Sequence, residues 1–539
     1  MKHLIPFVIY CTLVACMTVA TFVAKGSDVA SISIYGSWWF IGGWIFLVLA
    51  SAFLFWNILR IKKANLLLHV SFILIFLGAL ITHFSGISGT IHLRTGLPAK
   101  LFIEKGTDNI CALPFTLILN NFEIENYPGT SAPKNYVTQL TVKDGNEPLK
   151  ATISMNHILS HCGYRFLQSS FDEDKKGVIL AVNYDPWGIC FSYIGYFLCL
   201  ISFIWVLSAK EGEFRKLLHH PLLKRVTFVL IILMGCSCAQ AAENHVITNN
   251  VACLYNSASF HIVLYPINLI LGLLGFLFFL FAAIKRNDSQ NSNLKLTPKF
   301  IQPISKVRFG LWIVLLCVFL VQTFLLGLRS YLAGRLPFAN GFESMQLMAW
   351  LVMLFSLLFG RKHILLLSGG YLLSGFALLV SSLAQMSAQL TPLNPVLISP
   401  LLSLHVSLMM MSYTLFAFTT LIAITSIILD YNKCAEEVMR LTLISHILLY
   451  PALLFLGVGI CVGAVWANVS WGQYWSWDPK EVWALITFIV YALALHTEVL
   501  KIMNKPLWFH FYMVFAFFTL LMTYFGVNYF LGGMHSYGG

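Results

Sequence analysis

Four of the sixteen histidines in this chain stand apart by their placement along long apolar runs. His69 follows Lys63 by six residues and His496 precedes Lys501 by five, so at ~1.5 Å rise per residue both lie ~7–9 Å inside the boundary those lysines mark. Two neutral imidazoles at one depth, carried by different helices, can clamp a haem iron axially. His405 lies near the start of its apolar run, after the Pro-rich segment Thr391 to Pro395, and His535 follows the last run, both on the opposite side. A lone helical histidine is more often hydrogen-bonded to a neighbour than a ligand, and depth is what separates these pairs from the rest. His83 is a weaker candidate near the outer end of the run that carries His69. His446 and His510 have no partner at equal depth, and His92, His157, His161, His245 and His261 read as ordinary soluble or interfacial residues.

Between His405 and His535 lies a tryptophan-dense segment, Trp471-Gly-Gln-Tyr-Trp-Ser-Trp-Asp-Pro-Lys480, flanked by Trp466 and Trp483. Its indoles offer a broad apolar surface with N–H donors at the rim, suited to a porphyrin face and edge. An interfacial aromatic belt is the simpler account of tryptophan near a membrane, but a belt does not explain a loop this dense with Gly472 and Asp478-Pro479 turn chemistry among the indoles. Trp471, Trp475, Trp477 and Asp478 are therefore the expected catalytic positions, although an Asp-Pro turn is itself a sufficient structural reason for Asp478. Arg329, Arg335 and Lys480 fall on the same side and suit either haem propionates or interfacial anchoring.

The elements that must position these residues are transmembrane helices. Of the 539 residues, 58% are hydrophobic and 10% charged, more apolar surface than a water-soluble core of this length can hide. Apolar runs fall at about 4–24, 38–59, 65–84, 187–208, 226–242, 262–284, 309–330, 342–360, 363–385, 400–428, 441–466, 481–500 and 506–528, each long enough to cross a bilayer as a helix. The net charge of +12 is scattered through short connections, so it reads as topology and not as a nucleic-acid face. Clusters at Arg60 to Lys63, Lys210 to Arg225, Lys285 to Arg308, Arg361-Lys362, Lys433 to Arg440 and Lys501 to Lys505 mark the inner side, which puts the N-terminus inside and, with thirteen spans, the C-terminus outside.

The expected fold is thus an all-α polytopic membrane protein of about thirteen transmembrane helices with one small β-rich extracytoplasmic domain. Residues 85–186 form that insert, with short β-prone runs such as Phe115 to Leu119 and Tyr136 to Val142 between turn residues. The chain divides into a first half (1–225), junction spans (226–284), a polar cytoplasmic linker (285–308) and a second half (309–539) with the tryptophan-rich loop at 466–483. The run Val226 to Ala242 reads as an uncut helix in preference to a signal sequence processed at Cys236. Twelve cysteines are present with no Cys-x-x-Cys, which argues against a thioredoxin-like redox pair. Cys111 and Cys162, both in the insert, are candidates for a disulfide.

The segment Trp471 to Leu485, with Leu404-His-Val406, Leu495-His-Thr497, Pro337 to Ser344 and Gly526 to Gly538, resembles the fused System II cytochrome c synthases, whose parts are termed CcsB or ResB and CcsA or ResC and which carry a tryptophan-rich WWD domain. The first half resembles ResB through its spans, its outer insert and the run His69 to Ile81, although the insert is much shorter than is usual there. The resemblance implies a bacterial inner-membrane, multi-pass holocytochrome-c synthase of the haem lyase type, with its insert and WWD loop facing the periplasm. It implies haem b as transported substrate, with His69 and His496 taking it from the cytoplasmic side and His405 and His535 holding it outside as axial iron ligands. The implied partners are haem, an apocytochrome c with a Cys-x-x-Cys-His motif, a thiol-reducing partner and membrane lipid, with no nucleic acid. The alternative is a haem exporter or chaperone that delivers haem to a separate ligase. A b-type electron-transfer subunit is disfavoured, because it needs paired histidines on the same two helices, one pair at each depth.

Overall fold

A computed structural model describes residues 4–23, 34–107, 109–145, 147–223, 260–291, 298–338, 340–361, 363–383, 389–390, 392–497 and 500–531. Every expected span has a helix, except 226–242, which lies outside the described residues together with Cys236. The first group comprises α1 (Leu4–Val23), α2 (Trp38–Ile61), α3 (Lys63–Ser85), α4 (Pro186–Ser208) and the short α5 (Glu213–Leu218). The second comprises α6 (Phe260–Asn291), α7 (Pro298–Ala333), α8 (Gly341–Phe359), α9 (Ile364–Leu383), α10 (Pro400–Tyr431), α11 (Ala435–Ser470), α12 (Pro479–Leu493) and α13 (Pro506–Leu521), which runs on as a π-helix, Met522–Leu531. Ten helices among the described residues are long and apolar enough to cross a membrane. Two differences from the sequence reading concern helix ends. Helices α6 and α7 extend into the stretch read as a polar linker, and α12 stops at Leu493, seven residues short of the expected end of its span.

Between α3 and α4 stands one antiparallel sheet of eight strands in the order β5-β4-β3-β2-β1-β8-β7-β6. The strands are β1 (Ile87–Arg94), β2 (Pro98–Glu104), β3 (Ile110–Asn126), β4 (Pro133–Asp144), β5 (Glu147–Ile153), β6 (Leu159–His161), β7 (Tyr164–Phe171) and β8 (Gly177–Tyr184). Alternation sets the register: Leu113, Phe115, Leu117 and Leu119 of β3 face inward and pair with β4 as Leu117 to Val142 and Leu119 to Leu140. They join Phe102, Phe166, Val178 and Leu180 in a core separate from that of the helices. Cys111 and Cys162 are both unbonded thiols, correcting the disulfide expectation: Cys111 is paired within the sheet opposite Phe102, whereas Cys162 sits in the β6–β7 turn.

Small residues decide the helix contacts that carry the domain. In α3, a side chain at Gly78 would collide with Ser192 of α4, and one at Gly195 of α4 would collide with Ile75 of α3. With no solvophobic force between helices in lipid, such close approach supplies van der Waals attraction instead. The largest buried cluster lies where α10, α11, α12 and α13 meet, around Phe416, Leu449, Leu456, Tyr491 and Phe509. Helix α1 is tied to this cluster by Trp483 of α12, whose indole N–H donates to Thr21 Oγ1 at 3.1 Å.

Candidate functional site

The two inner histidines come together. His69 lies on the second turn of α3 and His496 just past the end of α12, and their ring centroids are 6.2 Å apart with planes at 79°. The expectation of equal depth from two helices is altered in one respect: His496 belongs to the turn that closes α12 and not to its interior. Each ring is oriented by its own backbone. His69 Nδ1–H donates to the Asn65 carbonyl at 2.7 Å and His496 Nδ1–H to the Ala492 carbonyl at 2.9 Å. A carbonyl only accepts, so the proton sits on Nδ1 and the lone pair of each neutral imidazole sits on Nε2.

His405 shows the same device at the end of the bundle that carries the sheet. Its Nδ1–H donates across to the Gly459 carbonyl of α11 at 2.7 Å. The ring fits there because residue 463 is glycine: a Cβ at Gly463 would lie 2.6 Å from His405 Nδ1. His405 lines a cavity of about 280 Å³ together with Trp466, Tyr474, Trp475, Lys480 and Glu481. Asn528 and Tyr529, from the π-helical continuation of α13, close another wall. His535 lies outside the described residues, just beyond that segment.

The tryptophans divide into distinct roles instead of forming one flat platform. Trp466 and Trp475 line the cavity, whereas Trp471 packs edge to face on Trp466 with centroids 4.7 Å apart. Trp477 turns away to stack on Tyr35, 4.4 Å between centroids and 8° between planes, with Phe40 edge-on at 5.5 Å. Its φ of +60° is a left-handed conformation that a bulky residue rarely adopts, and the Tyr35–Phe40 clamp holds it there. Trp483 is buried in the helix core. Asp478 caps α12 in a reciprocal box: its carboxylate accepts from Lys480 N at 3.1 Å, while Glu481 Oε2 accepts from Asp478 N at 3.2 Å and Ser476 N at 2.9 Å. The box fixes the loop's exit into the helix.

Arg329 and Arg335 bind a protein carboxylate. Glu343, fully buried, accepts from Arg329 Nε at 3.0 Å and from Arg335 Nη1 at 2.8 Å. This pairing engages both arginines, for which the sequence left propionate contact and interfacial anchoring open, and Lys480 is a base on the cavity wall.

Several residues of the site gave little warning in sequence. Arg165 of β7 donates to Asn468 Oδ1 at 2.7 Å and to the Gly472 carbonyl at 2.9 Å, pinning the tryptophan loop to the β domain. Gly472, with φ +81°, leaves no room for a side chain against Asn183 of β8. Asn156 donates to the Val396 and Ile398 carbonyls, each at 3.1 Å, and Tyr474 meets Thr82, which donates to Asp185 at 2.6 Å. Arg165 reads in sequence as an ordinary strand base. Gly463, by contrast, belongs to a visible run of small positions, Gly457, Gly459 and Gly463, that signals close helix approach.

A helical membrane bundle with a histidine pair deep at one end, a histidine-lined cavity at the other and a β domain seated over it defines a class of haem-handling assembly proteins. Residues 338–535 match the cytochrome c assembly protein family, and residues 61–186 match the ResB-like family. The CcsA protein of Mesostigma viride is 34% identical over 43% of this chain and 86% of its own length. The CcsA protein of Chlamydomonas reinhardtii is 35% identical over 41% of this chain and 65% of its own, and NrfI of Wolinella succinogenes 37% identical over 44% and 27%. The matched stretch thus spans about a quarter of NrfI. The chain belongs to the CcsA family of cytochrome c biogenesis proteins, in the System II form that fuses a ResB-like part to the CcsA part.

Proposed function

We propose that this protein passes haem b from the His69–His496 pair to the cavity beside His405 and there joins it to an apocytochrome c. The observation that carries the reading is the meeting of His69 and His496. Two imidazoles sharing one metal at metal–nitrogen distances of about 2 Å have ring centroids roughly 6 Å apart, and these two stand at 6.2 Å with both Nδ1 protons committed to backbone carbonyls. Hydrogen-bonding the second nitrogen is what makes an imidazole a rigid, basic ligand.

At the other end the donor set also suits haem: an oriented imidazole, indole faces at Trp466 and Trp475, and the Lys480 ammonium for a propionate. His535, which the family resemblance pairs with His405, would be the second ligand in this proposal. Trp471 and Trp477 hold the loop, and Asp478 shapes it through its cap. The chemistry is addition of two thiol S–H groups across the haem vinyls to give thioethers. The protein's contribution is position, since aligned groups gain ~7–11 kcal/mol over free encounter. The β domain, pinned by Arg165 and Asn156, serves as the support against which a Cys-x-x-Cys-His segment is held.

Lys62, Lys63, Arg440 and Lys501 fall at the helix ends distant from the sheet, which supports the reading that the sheet and cavity face outward, in this proposal the periplasm of a bacterial inner membrane. A thiol-reducing partner keeps the acceptor cysteines free. Co-expression with an apocytochrome c in a host stripped of its own maturation system tests the reading. Covalent haem on the acceptor is the expected result; haem export with no attachment would assign the protein to delivery alone.

A further inference from the structure

The β domain holds a cluster of ligand-type side chains that haem handling does not use. Asp144 ends β4, His161 ends β6, and Cys162 opens the turn into β7. Strands β5 and β6 are the two outer strands of the sheet, yet the sheet curls until they approach, and Thr138 of β4 donates to Gln168 of β7 at 2.6 Å across the gap. At the mouth of this seam His161 Nε2 lies 2.9 Å from Asp144 Oδ2, and Cys162 Sγ lies 3.5 Å from the same oxygen. All three ligand atoms fall within 4.8 Å of one another. A tetrahedral zinc ion with bonds of about 2.0–2.3 Å needs ligand atoms roughly 3.3–3.7 Å apart, which small rotations of these side chains provide.

Two further facts set the cluster apart from a casual surface contact. Cys162 and Gly163 form a two-residue hairpin turn with φ of +49° and +81°, and the first position of such a turn favours Asn, Asp or Gly. A cysteine is conformationally the wrong residue there, and the thiol it presents is what it adds. His161 is also held in place, its ring edge-on to the buried Phe115 at 4.7 Å. A thiolate and an imidazole favour zinc over magnesium or calcium, and the carboxylate lowers the preference for cuprous ion.

We propose that Asp144, His161 and Cys162 form a three-ligand Zn²⁺ site that staples the open seam of the β domain and leaves one coordination position for water or a partner's donor. The full-length protein in detergent, stripped by chelator, is titrated with Zn²⁺ beside Cys162→Asn, a change that suits the turn and deletes the thiolate. The wild type is expected to take up one more Zn²⁺ per chain than the variant. Zn²⁺ is also expected to slow maleimide labelling of Cys162, located by peptide mass, at least tenfold. Equal uptake by the two proteins would overturn the site. Should the variant misfold, an unchanged labelling rate of wild-type Cys162 at saturating Zn²⁺ overturns it equally.

Discussion

The imidazoles of His69 and His496 meet edge to face with centroids 6.2 Å apart, although one lies in the ResB-like segment and the other in the CcsA-like segment. A site split between two parts that match separate families makes each part depend on the other. The pair exists only where α3 packs beside the end of α12.

Replacing either partner removes half of that site. His69→Ala and His496→Ala are each expected to lower haem retained at the inner site at least about tenfold while leaving insertion unchanged. Absorption spectra of the purified variants check this, and added imidazole should restore a bis-imidazole spectrum. Wild-type protein purified without any haem would refute the binding scheme.

Gly463 offers a test that leaves every ligand in place. A Cβ there would sit 2.6 Å from His405 Nδ1, so Gly463→Ala must displace the ring or break its bond to the Gly459 carbonyl. Loss of outer-site haem comparable to that in His405→Ala is expected, by about 10–100-fold as for other disrupted ligand supports. Haem-to-protein ratios of Gly463→Ala and His405→Ala, each compared with the wild type in an otherwise unchanged chain, check this.

Glu343 is paired with the buried Arg329 and the partly buried Arg335. Glu343→Gln should destabilise the fold by ~3–5 kcal/mol, the usual cost of leaving a buried charge without its partner. Glu436→Gln, which breaks only the partly exposed pair with Arg440, should cost under about 1 kcal/mol. Denaturation midpoints in detergent compare the two; equal midpoints would contradict the assigned burial.

Arg165→Ala should free the tryptophan loop from the β domain without altering either core, since its partners are Asn468 and the Gly472 carbonyl. Protease sensitivity within 468–478 is expected to rise and attachment to an acceptor to fall, with inner-site haem unchanged.

At the domain's distal turn, the Arg94 guanidinium and then His92 hold the Asp172 carboxyl below the usual carboxylate range. A depressed carboxyl contributes its stability above its unfolded pKa of about 3.9 and loses it as pH falls through the folded value. Protection factors for hydrogen exchange across residues 172–177, corrected for the intrinsic pH dependence of amide exchange, should therefore stay constant from neutral pH to about 5 and fall below about 4. Protection already lost near pH 6 would refute the assignment.

Much of this was legible from sequence because bilayers impose simple rules. Apolar length fixed the helices, the basic clusters marked one end, and alternation in Phe115 to Leu119 and Tyr136 to Val142 marked strands that do pair. Counting from the flanking lysines brought His69 and His496 to one level; helix rise accounts for His69, whereas His496 meets it from the turn that closes α12.

Contacts between elements distant in sequence were decided only by the tertiary structure. Trp477 looked like part of a flat indole platform, but Tyr35 and Phe40 capture it from the other half of the chain. The sequence left Arg329 and Arg335 open between propionate contact and interfacial anchoring, and in the fold Glu343 packs between them. Local sequence determined which residues could do chemistry and how deep they lie, since those follow from helix rise and hydropathy. Which of them face the cavity depends on helix rotation and close approach, set by glycines such as Gly78 and Gly463 whose effect appears only when a neighbouring helix is in place.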